Sequence, residues 1–186
     1  MCLVKRLPIA LEREMLTQEV VEYYEFDAYE VCIILDKVES RQYPDQRYEF
    51  DAFCADASHP EIDPISPPHI HTIFEASNCK QLIWVSKGVV ESPDSYFIWT
   101  VSHELQHAWQ KYIYPELSII NRFIANFYSM VFRELPYPID IPIELDAELS
   151  AMELTETLRG EAALNQHLET ERNTNAKRQV GASGYL

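Results

Sequence analysis

Positive charge is scarce in this chain: 15 lysines and arginines stand against 30 aspartates and glutamates, leaving a formal net charge of -15. Phosphate recognition needs clustered cations, so neither nucleic acid nor an anionic membrane is expected as a partner. Long apolar runs are missing as well. The first one, in MCLVKRLPIALERE, is cut short by Glu12 and Glu14, and no small-residue cleavage site follows it. Nothing approaches the roughly 20 apolar residues of a membrane span. Cysteine is limited to Cys2, Cys32, Cys54 and Cys79, with no CxxC pair. Four cysteines so spaced make no disulfide scaffold and suit free thiols in a reducing, cytoplasmic setting. Only four glycines occur, which excludes glycine-rich low-complexity structure.

What remains is a globular composition, 47% apolar and 12% aromatic in 186 residues. The expectation is one domain over residues 1–170 and a flexible polar tail over 171–186. Apolar spacing predicts a helix near 10–24, and β-branched runs predict strands near 29–38, 48–55 and 81–86. The proline-rich stretch 58–71 reads as an irregular loop, and Lys87-Gly88 as a turn. Helices are predicted near 93–113, 116–134 and 143–170.

The helix near 93–113 is the informative one. Ser92 suits an N-cap, Pro93 a first helical position, and Asp94 the positive end of the helix dipole. Ile98, Val101, Leu105, Ala108 and Tyr112 form one stripe, and Tyr96, Thr100, His103, His107 and Gln110 form another. Within it runs His103-Glu104-Leu105-Gln106-His107. Four residues are about 1.1 turns, so both imidazoles leave nearly the same face, about 6 Å apart. That spacing lets both reach one zinc ion. Glu104 is offset by about 100°, too far round for easy ligation but within reach of a water at the ion. A carboxylate there can act as general base and later protonate a leaving amine. The bland alternative is a solvated helix with two surface histidines, against which the capped, aromatic-rich helix counts.

A third ligand is expected in PIELDAELS, where Pro142 marks a helix start. Glu144 is the first candidate, with Glu148 and Asp146 as alternatives. Glu144 and Glu148 lie four apart on one face, so one can ligate while the other holds the N–H of a ligating histidine. An acidic first turn that merely favours the helix dipole is the competing explanation.

HELQH, then a helix, then ELDAE resembles the gluzincin branch of the zincin metallopeptidases, the thermolysin-like and minigluzincin group. The resemblance covers residues 80–148. It implies a Zn2+ cofactor at His103, His107 and Glu144, Glu104 as base, and Glu148 supporting a histidine. It further implies that the strand QLIWVS just before the active helix rims the cleft and pairs with an extended peptide. The metzincin continuation HxxGxxH is absent after His107. The implied fold is α+β: a small zincin-like domain whose short N-terminal mixed or antiparallel sheet packs on a central active-site helix, with a helical C-terminal half. The implied partner is a peptide or protein substrate. A zincin scaffold serving as a non-catalytic or regulatory binding module is the alternative function. Tyr112, Tyr114, Tyr137 and Arg122 are all candidate oxyanion partners. His69 and His71 are a minor candidate metal pair, while His59 and His167 are expected to face solvent.

Overall fold

The computed structural model describes residues 2–24, 31–39, 41–42, 49–56, 68–113 and 142–182. The helix expected at 116–134, and Tyr114, Arg122, Tyr137 and His59, lie outside them. In chain order the elements are β1 (Cys2–Lys5), α1 (Leu11–Tyr23), β2 (Val31–Leu35), β3 (Arg41–Gln42), β4 (Glu49–Phe50) and β5 (Ala52–Asp56). There follow α2 (Pro68–Ser77), β6 (Gln81–Val85), α3 (Lys87–Val90), α4 (Asp94–Ile113), α5 (Pro142–Arg159) and α6 (Glu161–Ala182). The protein is α+β, with a mixed four-stranded sheet of order β1-β2-β6-β5 and a separate β3-β4 pair. β1, β2 and β6 run parallel, and β5 closes the sheet antiparallel to β6.

β2, and β6 after its first residue Gln81, are apolar without alternation because both of their faces are covered. Val31, Ile33, Leu35, Ile83 and Val85 pack on α1 and α4, against Leu16, Val20, Phe97, Ile98, Val101 and Leu105. Cys32, Ile34, Leu82 and Trp84 pack on Ile70 and Phe74 of α2. Each such side chain taken from water contributes about 1.5–3 kcal/mol. The result for α4 is a helix fixed along most of its length to the sheet.

One polar group interrupts this apolar frame. Asp36, at the end of β2, is fully buried, and its carboxylate accepts from the Lys37 N–H (2.8 Å), Arg6 Nη1 (3.2 Å), His69 Nε2 (2.7 Å) and Trp84 Nε1 (3.0 Å). His69 is thus committed to an aspartate, and His71 lies 3.3 Å from Glu75 across one helical turn. The pair does not converge on a common point as a metal site requires.

Several elements differ from expectation. β1 is a strand, and Pro68–His71 open a helix, because proline is as well suited to a first helical turn as to a loop. Lys87-Gly88 begin one helical turn and not a bend. Ser92 does not cap α4: its hydroxyl donates back to the Val89 carbonyl at 2.6 Å, and the Pro93 carbonyl takes the first helical bond, from Phe97 N–H. The helix expected over 143–170 is two helices, broken at Gly160 with φ +83°, and α6 continues to Ala182. Among the described residues no helix is long and apolar enough to cross a membrane.

Candidate metal centre

α5 lies along α4 and presents Ala147, Ala151 and Leu154 to it, all fully buried. Two alanines at i, i+4 on the contact face let the helix axes approach closely, since separation follows the side chains between them. Glu144 and Glu148 flank that seam, so carboxylates on α5 reach imidazoles on α4.

The geometry is convergent. His103 Nε2 and His107 Nε2 are 3.0 Å apart, and Glu144 Oε2 lies 3.4 Å from each. A tetrahedral ion bonded to such atoms at about 2.0–2.1 Å spaces them about 3.3–3.4 Å apart. Two neutral imidazoles and one carboxylate are a fitting donor set for zinc, and three protein ligands leave a position for water or substrate. His103, His107 and Glu144 form the group of possible metal ligands among the described residues.

Charge supports the same convergence. Burial opposes the imidazolium of His103, yet its contact with Glu144 and the nearby Glu104 and Glu148 raise its pKa above the ordinary histidine value. Burial likewise disfavours the Glu144 carboxylate, but the two histidines outweigh it and hold its pKa well below the usual carboxylate range. The pocket therefore favours negative charge on Glu144 and attracts positive charge beside it.

The second ring nitrogens are also held. Gln110 Nε2 donates to Asp146 Oδ2 (2.8 Å) and to the Ile143 carbonyl (3.0 Å), which leaves Oε1 to face His107 Nδ1 at 3.0 Å. An amide oxygen only accepts, so Nδ1 carries the hydrogen and Nε2 presents its lone pair to the centre. Gln106 Nε2 reaches the same Asp146 oxygen at 2.6 Å. Asp146, an alternative ligand by sequence, instead serves the two glutamines. Glu148 Oε1 lies 3.6 Å from His103 Nδ1, near it but beyond hydrogen-bond distance. Sequence reasoning overlooked Gln110 as an orienting group. Its i, i+3 relation to His107 was available; its acceptors on α5 were not.

Glu104 is half-buried and, among the described residues, has no hydrogen bond or ion pair that would occupy its carboxylate. Tyr112 leaves the apolar stripe at the end of α4, 54% exposed, with Lys80 Nζ 5.9 Å from its ring centre. His167 is not solvent-facing: it is 4% exposed, its ring lies 4.4 Å from that of Trp99 at a tilt of 39°, and among the described residues its Nε2 has no hydrogen-bond partner.

The strand at the cleft is another correction. QLIWVS becomes β6, flanked by β2 and β5, so it has no free edge for a peptide. Among the described strands β5 stands at the end of the sheet. Ser86 N–H donates to the Asp51 carbonyl, which puts residues 51, 53 and 55 in register as hydrogen-bonded partners of β6. Antiparallel alternation then turns the N–H and C=O of Ala52 and Cys54 outward. Tyr96 OH on Asp51 (2.9 Å) and Lys111 Nζ on the Cys54 carbonyl (3.1 Å) tie this edge to α4. Comparison with protein-family models, with curated proteins and with solved structures finds no match.

Proposed function

We propose that the protein is a zinc-dependent metallopeptidase of gluzincin type that hydrolyses peptide bonds. The observation that carries this reading is the meeting of His103, His107 and Glu144 at near-tetrahedral spacing, with a carboxylate next in sequence to the first histidine left uncommitted. Bound there, zinc would polarise a substrate carbonyl and acidify a water enough for deprotonation near neutral pH.

The chain's own groups do the rest. His107, oriented through Gln110, and His103, beside Glu148, keep their Nε2 lone pairs on the centre. Glu104 takes the proton of the attacking water on its carboxylate and returns it to the departing amine nitrogen.

Glu104→Gln tests the assignment against a non-catalytic scaffold. Cleavage of denatured proteins and peptides should fall by about 10²–10⁴-fold, while metal analysis still finds one zinc per chain. Zinc lost in the same proportion would make Glu104 a ligand, and wild-type protein that takes up no zinc would end the reading.

A further inference from the structure

The sheet carries a pair of thiols on the face turned away from α4. β1 and β2 run parallel with Cys2 directly beside Cys32, and such in-register neighbours point to the same side of a sheet. Both pack in the layer with Ile70 and Phe74 of α2, whereas α4 packs on the opposite face. Strands about 4.7–4.9 Å apart put the two Cα atoms inside the window of roughly 4.4–6.8 Å that a disulfide spans. The thiols are in hydrogen-bond contact, and all four cysteines are free. Cys32 is fully buried while Cys2 is only half-buried. Burial and the neighbouring Cys2 push the Cys32 thiol up to about 12, with Ser77 pulling the other way. Cys32 therefore stays protonated near neutral pH, and the sulfur that an oxidant meets first is that of Cys2. Cys79 also lies near Cys32, but its S–H is turned to the Ser77 carbonyl at 3.7 Å.

We propose that Cys2 and Cys32 are a redox modification site, a dithiol that a peroxide closes into a disulfide and a dithiol reductant reopens. The Cys2 sulfur attacks one peroxide oxygen: an S–O bond forms as the O–O bond breaks, sulfur gives up two electrons, and the departing hydroxide leaves as water with the thiol proton. The resulting sulfenic acid stands beside Cys32. The Cys32 sulfur attacks that of Cys2, the S–S bond forms as the S–O bond breaks, and the hydroxyl leaves with the Cys32 proton as a second water. Burial of Cys32 does not block this step, because its target is already its strand neighbour. The product fastens β1, four residues long, to β2 and closes the chain between them, α1 included, into a loop. Limiting that loop in the unfolded chain stabilises the fold. The pair lies across the sheet from the histidines of α4, so the inference is independent of the metallopeptidase reading.

The test treats the folded, fully reduced chain, supplied with zinc, with hydrogen peroxide. Remaining thiols are then alkylated in denaturant and the peptides mapped by mass. The expected product is a Cys2–Cys32 link, lighter by two hydrogens and restored by dithiothreitol. The oxidised protein should melt about 5–10 °C higher than the reduced one. Cys32→Ala should stop at a sulfenic acid on Cys2, captured by dimedone, and Cys2→Ala should leave Cys32 reduced at the same dose. Should the core variant Cys32→Ala fail to fold, Cys2→Ala, at a half-buried position, still carries the test. A Cys2–Cys79 link, a link between two chains, oxidation of Cys32 without Cys2, or a Cys2–Cys32 link that leaves the melting temperature unchanged overturns the proposal. A chain that binds zinc and forms no link refutes the dithiol alone; one that forms the link and takes up no zinc refutes the peptidase reading alone.

Discussion

Replacing Gln110 by alanine isolates the geometry of the centre from its ligand list. In the folded protein Gln110 Oε1 is 3.0 Å from His107 Nδ1, while its amide nitrogen is fixed by Asp146 and the Ile143 carbonyl. Alanine removes all three contacts. Asp146 keeps Gln106 at 2.6 Å, so its carboxylate retains a donor, and the main casualty is the orientation of one imidazole. Loss of such an outer partner typically weakens metal affinity by about 10–100-fold, or about 1.4–2.7 kcal/mol. Titration of zinc against a chromophoric chelator reads this directly. Thermal unfolding of the metal-free variant supplies the control, since lost hydrogen bonds alone should cost about 1–3 kcal/mol of stability. A folded Gln110→Ala protein that binds zinc within twofold of wild type would show that Gln110 does not orient His107.

Zinc at 100-fold above its dissociation constant should stabilise the protein by about 2.7 kcal/mol, and Glu144→Ala should abolish that gain in a thermal melt; an equal gain in the variant would remove Glu144 from the ligand set. His167 is buried, and desolvation lowers its pKa, so the fold prefers the neutral ring. As pH falls below about 6.5, the unfolded chain gains the proton first and stability drops toward the folded pKa. His167→Phe should flatten this slope between pH 7.5 and 5, and identical pH profiles of melting temperature would contradict it. Gly160 has φ +83° and open space where a Cβ would stand, so Gly160→Ala should cost about 1–2 kcal/mol and Gly160→Asn less; unchanged melting in the alanine variant would refute a conformational origin.

The i, i+4 spacing of His103 and His107 was readable from the chain because helix geometry is local. Glu144 was readable for a related reason: Pro142 marks where α5 begins, and a first-turn carboxylate is a restricted choice. What escaped depends on contacts between elements. Gln110 and Asp146 look like ordinary polar positions until α5 lies on α4. β6 directly precedes the histidine-bearing helix in sequence, yet among the described strands β5, which comes earlier, stands at the end of the sheet, because order along the chain is not order in the sheet. β1 is too short to stand out from its flanks. The break at Gly160 did carry a local signal, a glycine after Arg159 at a helix end, but apolar periodicity continues across it into Ala163 and Leu164. His167 has no sequence neighbour that foretells Trp99 above its ring.

The buried Asp36 bears on how the chain settles its strand alignment. Val31–Leu35 is apolar at every position and covered on both sides, so sliding β2 by one residue would still present hydrocarbon to each layer. Burial by itself cannot tell the two pairings apart. The carboxylate can: in the native alignment it meets Arg6, His69 and Trp84, whereas one step away it would turn to the opposite layer, whose described core side chains, Leu16 and Val20 among them, are apolar. Stranding a charge among such side chains costs several kcal/mol. A single acidic side chain therefore acts as the index mark that keys β1, β2 and β6 to one another, and through them sets the platform on which α4 rests.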